Sequence, residues 1–69
     1  MKISARNTLK STVKQVILGA VNAEVILELA PGVEVTAIIT KESAESLGLA
    51  EGTSAYAVIK SSDVMVAID

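Results

Sequence analysis

From Asn22 to Ala30 the chain alternates. Ala23, Val25, Leu27 and Leu29 fall on one face, and Asn22, Glu24, Ile26 and Glu28 on the other. Successive side chains of a strand point to opposite faces, so this period of two marks a half-buried β-strand. Ile26, on the polar face, is a candidate interface residue. Pro31-Gly32 comes next. Pro fixes φ for the first central position of a turn, and Gly accepts the positive φ of the second. Val33 to Thr40 then alternates again, with Val33, Val35, Ala37 and Ile39 on one side. The two segments make a hairpin. A type II turn twists against a tight two-residue hairpin, so a bulge or a wider loop is expected at this corner.

The flanking segments extend the pattern. From Lys10 to Leu18, Val13, Gln15 and Ile17 alternate with Thr12, Lys14, Val16 and Leu18. β-Branched residues dominate, as strands prefer, and Gly19 then lets the chain bend or bulge. Thr40 to Gly48 changes period. Thr40 or Lys41 starts a short helix, Glu42 and Glu45 suit its positive end, and Gly48 takes the left-handed position at its end. Ala44 and Leu47 face inward, Leu49 docks back, and Glu51-Gly52 turns the chain. Thr53 to Lys60 is a strand with Ala55, Ala57 and Ile59 opposite Ser54, Tyr56, Val58 and Lys60. Ser61-Ser62-Asp63 breaks it, and Val64 to Ile68 is expected to close the sheet. The expected fold is all-β: an OB-fold-like five-stranded Greek-key barrel, with one short helix between strands 3 and 4, and residues 1–69 as a single domain. No helix is long enough for a parallel crossover.

A domain of 69 residues buries only about 60% of its unfolded surface. Small domains make up the deficit with disulfides, a metal or oligomerisation. With no Cys and no His, disulfides, thiolate zinc sites and imidazole ligands are excluded. Yet 51% of the residues are hydrophobic, and Tyr56 is the one aromatic. That is more small apolar surface than one chain can hide, so a homo-oligomer is expected. No apolar run approaches the roughly 18 residues of a membrane span, and the opening stretch lacks the long apolar run of a signal peptide. A cytoplasmic protein without membrane contact is expected.

Catalysis is poorly provided for. No serine sits in a nucleophile-elbow context, Glu24 and Glu28 read as a solvated edge or interface pair, and Asp63 serves its own turn. An enzyme is not expected. An OB-type nucleic-acid binder would show stacking aromatics in a basic groove; a net charge of −2 and a pI near 4.9 argue against one. A purely structural or anion-sensing oligomer stays open.

Two polar breaks stand out. Met1 to Asn7 offers the Ser4 hydroxyl, the Arg6 cation and backbone N–H groups between them. Lys60-Ser61-Ser62 offers a matching set. Each sits at a strand end, where backbone donors are unpaired. Charged donors to an oxyanion make bonds roughly twice as strong as neutral ones. A site with donors alone suits a fully deprotonated oxyanion, because a protonated one sets a donor against donors.

Ile3-Ser4-Ala5-Arg6-Asn7, Gly19-Ala20-Val21-Asn22-Ala23-Glu24-Val25, Leu47-Gly48-Leu49 with Glu51-Gly52, and Val58-Ile59-Lys60-Ser61-Ser62-Asp63-Val64 together resemble molbindins. They equally resemble the molybdate-binding domains of molybdate-responsive regulators and transporter ATPases. In this order they span essentially the whole chain, which is identified as a member of that family. The resemblance implies an OB-like barrel, a hexamer built as a trimer of dimers, and molybdate or tungstate held as an oxyanion at subunit interfaces for storage. It implies a main site from Ser4, Ala5, Arg6, Lys60 and Ser61 of one subunit with Ser43 of its neighbour. It also implies a second site around the three-fold axis, for which Gly19, Ala20, Val21 and Asn22 are the candidates. Pro31 is not part of the family pattern.

Overall fold

A computed structural model describes residues 1–69. Four strands form one antiparallel sheet in the order β3-β2-β1-β4. They are β1 (Asn7–Leu18), β2 (Asn22–Ala30), β3 (Val33–Thr40) and β4 (Ser54–Ile59). A short helix, α1 (Lys41–Ser46), lies between β3 and β4, and a 3-10 turn, η1 (Ser61–Asp63), follows β4. Val64 to Ile68 does not form the expected fifth strand. It pairs with nothing in the sheet, and Met65, Val66 and Ile68 are at least 90% exposed. The Asp63 N–H bonds the Lys60 carbonyl (2.9 Å), and the Val64 N–H bonds that of Ser61 (3.3 Å). That turn directs the chain away instead of folding it back along β4.

The hairpin corner follows the expected chemistry. Gly32 has φ 78°, the value a type II turn requires at its third position. Ala30 pairs with Val33, but the preceding pair is Glu28 with Glu34, so Leu29 is extra and forms the bulge. A second bulge interrupts β1. Val13 pairs with Leu27 and Gln15 with Ile26, which leaves Lys14 extra on β1. One extra residue flips every later side chain to the other face. Ser11 and Val13 are buried, and Val16, not Gln15, turns inward after them. The simple alternation that put Gln15 and Ile17 beside Val13 therefore fails beyond Lys14, and Ile17 is exposed. Lys14 reaches Glu34 across the outer face. The Glu34 hydrogen bond and charge hold the lysine above its ordinary range, though an exposed pair of this kind is screened by solvent.

The core is small. Val13, Val25, Leu27 and Ala57 form it, with Val16, Ala37, Ile39, Leu49 and Ala55 packed against it. Ser11, also buried, donates to the Ala55 carbonyl at 3.1 Å. Ala44 anchors α1. Thr40 caps the helix by accepting the Ser43 N–H at 3.0 Å. Gly48, at φ 65°, ends it: the Gly48 N–H bonds the Glu45 carbonyl (3.0 Å) and the Leu49 N–H that of Ala44 (3.1 Å). This is the Schellman arrangement, and it returns Leu49 to the core.

Gly19 opens the β1–β2 connection, and its N–H bonds the Asn22 carbonyl at 2.7 Å. A Cβ on Gly19 would lie 2.9 Å from that oxygen. Backbone must shift to admit it, so Gly19→Ala should cost about 1–3 kcal/mol, as overpacking does. Thermal melts at a fixed protein concentration read this directly. An unchanged melt would mean that the turn adjusts freely.

Candidate oxyanion site

The pairing of β1 with β4 builds the site. Asn7 pairs with Ile59 at one end of the ladder and Thr12 with Ser54 at the other. Residues just before Asn7 and just after Ile59 must therefore leave the sheet side by side. They do: Ser4, Ala5, Arg6, Lys60, Ser61 and Ser62 line one open depression. Every side-chain polar group among them is a hydroxyl or a cation. The Asn7 side chain also donates to the Ile59 carbonyl at 3.3 Å. It thus clips together the roots of both arms.

Four of the five main-site residues expected from one subunit carry this chemistry: Ser4, Arg6, Lys60 and Ser61. Ala5 is half-buried between two of them, and the other lining residues are exposed. Two further residues belong to the site beyond that set. Ser62 joins the lining, and its place in the Lys-Ser-Ser run was the available signal. Asn7 acts as a clip, which only the register reveals.

Ser43 lies elsewhere. β1 ends at Leu18, which pairs with Ala23, while Asn22 pairs with Thr40, the residue that caps α1. The Lys41 N–H also bonds the Val21 carbonyl at 2.7 Å. Ser43 and the Gly19–Asn22 turn therefore sit together at the opposite end of β1 from the arms. Ser43 lines a separate depression with Thr40, Glu42, Ser46 and Leu47. Within one chain it is not brought to Ser4 and Lys60. Its hydroxyl is nonetheless well prepared as a donor. Thr40 Oγ1 accepts the Ser43 N–H and lies 2.8 Å from Ser43 Oγ. The Thr40 hydroxyl can donate to Ser43 Oγ, leaving the Ser43 O–H free to point outward. In the Gly19–Asn22 turn, the Gly19 N–H and the Val21 carbonyl are already engaged within the chain, so that turn has fewer free backbone groups than its glycine suggests.

No group of three or more Asp and Glu carboxylates is arranged to hold a metal ion. No helix is long and apolar enough to cross a membrane.

Comparison with known proteins places the chain in a family. Residues 3–66 match the TOBE domain family. The chain is 58% identical to molybdenum-pterin-binding protein 3 of Clostridium pasteurianum, over 96% of this chain and 97% of that one. It is 39% identical to a probable molybdenum-pterin-binding protein of Haemophilus influenzae, over the full length of both. Among solved structures, MopII from Clostridium pasteurianum superposes with a TM-score of 0.90 at 49% identity, covering 97% of this chain and all of that one. A molybdate-binding protein from Sporomusa ovata gives 0.91 at 37% identity, covering 99% and 100%. The cytoplasmic molybdate-binding protein ModG, in a form with molybdate bound, gives 0.89 at 54% identity, covering 94% of this chain and 46% of that one. Matched from Ile3 to Val66 and in both fold and sequence, the chain belongs to the TOBE-domain family and, within it, to the molbindins, the small molybdenum-pterin-binding proteins.

Proposed function

We propose that this protein binds molybdate or tungstate reversibly as an intact oxyanion, at the interfaces of a cytoplasmic homo-oligomer, and so stores and buffers it. The observation that carries this is the depression itself. The two arms converge on six residues that supply hydroxyls, two cations and backbone N–H groups, with no carboxylate among them. Its likeness to proteins named for binding molybdate and molybdenum-pterin supports the ligand class. Binding, not catalysis, is the role those proteins share by name.

Size and charge set the selectivity. A tetrahedral dianion has only acceptors to present, and each charged hydrogen bond to it contributes about 1.5–3 kcal/mol. The depression on one chain is open to water, which weakens every such bond. A neighbouring subunit that brings Ser43 over the depression completes the donor set and excludes that water. The hexameric arrangement and the second site at Gly19–Asn22 belong to the same proposal.

Calorimetry with molybdate tests it. Arg6→Ala and Lys60→Ala should each weaken binding by roughly 10–100-fold, the equivalent of one lost charged hydrogen bond. Assembly should survive, because neither side chain belongs to the apolar surface the chain leaves exposed. Affinity unchanged in either variant would refute the assignment.

Competition tests the donor-only character separately. Tungstate should displace molybdate almost equally, and the smaller sulfate should displace it less well. Phosphate, partly protonated at neutral pH, should compete poorly and do no better as pH falls. Phosphate competing as well as tungstate would show that the site accepts a donor, contrary to its residues.

A further inference from the structure

The Lys60 arm offers donors through its backbone as well as its side chains. Three successive carbonyls along it are engaged within the chain. The Asp63 N–H donates to the Lys60 carbonyl at 2.9 Å, and the Val64 N–H donates to that of Ser61 at 3.3 Å. The carbonyl before them, that of Ile59, receives nothing from η1. It accepts instead from the Asn7 side chain at 3.3 Å. A trans peptide is planar, so its C=O and N–H point in opposite directions, and the chain has no cis bond. Carbonyls drawn into the fold therefore turn the N–H groups of Lys60, Ser61 and Ser62 the other way. None of those three N–H groups donates to a backbone carbonyl, and all three residues line the depression.

η1 withdraws two of the three acceptors with backbone alone. The third depends on one side chain. Asparagine suits the task, because its amide nitrogen carries two donors. Only that nitrogen can face a carbonyl, since the amide oxygen would set acceptor against acceptor. Asn7 is half-buried and its backbone pairs with Ile59, which keeps the amide beside this carbonyl.

We propose that Asn7 is a positioning residue that sets which oxyanions the site accepts. By holding the Ile59 carbonyl, it withdraws the acceptor that a protonated anion would use at the root of the Lys60 arm. This rests on the oxyanion reading and deepens it from ligand class to selectivity. A carbonyl has two lone pairs, and losing the Asn7 amide leaves one of them open. A fully deprotonated dianion gains nothing from that lone pair and is repelled by it. Hydrogen phosphate carries an O–H that the lone pair can accept. Losing Asn7 therefore weakens the first anion and favours the second.

Calorimetry on the assembled protein tests this, with molybdate as ligand and phosphate as competitor. Asn7→Ala and Asn7→Asp both remove the donor, and Asn7→Asp keeps the amide's shape should Asn7→Ala fail to fold. Ser11→Ala is the control. It deletes a bond of the same kind in the same β1–β4 ladder, from the Ser11 hydroxyl to the Ala55 carbonyl at 3.1 Å, away from the depression. Each Asn7 variant should lose about tenfold in molybdate affinity, the equivalent of one neutral hydrogen bond, while phosphate affinity holds or rises. The preference for molybdate over phosphate should thus fall about tenfold in Asn7→Ala, further in Asn7→Asp, and not at all in Ser11→Ala. Equal weakening of both anions in the Asn7 variants would overturn the proposal. So would an equal fall in preference in Ser11→Ala, which would show a loosened ladder instead. Wild-type protein that binds neither anion would sink the oxyanion reading itself, whereas tight molybdate binding with an unchanged preference sinks only the role of Asn7.

Discussion

The antiparallel ladder between β1 and β4 carries the rest of the molecule. It joins residues near opposite ends of the sequence: Asn7 pairs with Ile59, and the Asn7 side chain bonds the Ile59 carbonyl across 52 positions. Closing so long a loop costs conformational entropy, although the cost grows only slowly with length. Once the ladder forms, proximity of the arms needs no further device. Ser4–Arg6 and Lys60–Ser62 overhang its last pair and converge because the strands beneath them do. A donor set assembled this way is as rigid as the sheet end that presents it.

The same economy leaves the chain incomplete. Seven of 69 residues are buried, too few to hide the apolar side chains that the sequence supplies. Two needs then coincide. An apolar groove between the sheet edges lacks a cover, and the donor depression lacks a wall to exclude water. Under the proposed assembly, one association event meets both, since Met1, which lines the groove, belongs to the arm that carries Ser4. Electrostatic bonds strengthen as water leaves, so assembly and anion binding would reinforce one another. Such coupling is reciprocal: whatever assembly adds to anion affinity, the anion adds to assembly.

Much of the fold was legible because its signals are local. The alternation over Asn22–Ala30, the Pro31-Gly32 turn with its bulge, and the helix bounded by Thr40 and Gly48 each rest on residues within a few positions of one another. The Lys14 bulge was not legible. Nothing in the run of β-branched residues marks where the phase breaks; pairing with Leu27 and Ile26 decides it. Val64–Ile68 reads as a strand by period and composition, yet a strand exists only where an edge receives it, and this segment, led off by η1, pairs with neither β3 nor β4. The convergence of Ser4, Arg6, Lys60 and Ser61 was inferred from matching donor chemistry, and the ladder supplies its physical reason. Ser62 stands in the same donor run, whereas the Asn7 clip needed the register.

The acidic balance of the chain does not decide its fit to a dianion, because net charge is the wrong scale. Lys2, Arg6, Lys10 and Lys60 lie in the half where β1 pairs with β4, while Glu24, Glu42 and Glu45, with Lys41 as the one cation among them, gather near the Leu18 end and α1. The molecule is 35 Å along its longest axis, and exposed charges are screened beyond about 8 Å at physiological ionic strength. The two ends are therefore electrostatically independent. Asp63 is the carboxylate nearest to the arms in sequence, yet it lines no part of the depression. A dianion at the arms therefore meets a cationic, donor-rich surface whatever the net charge of the whole chain.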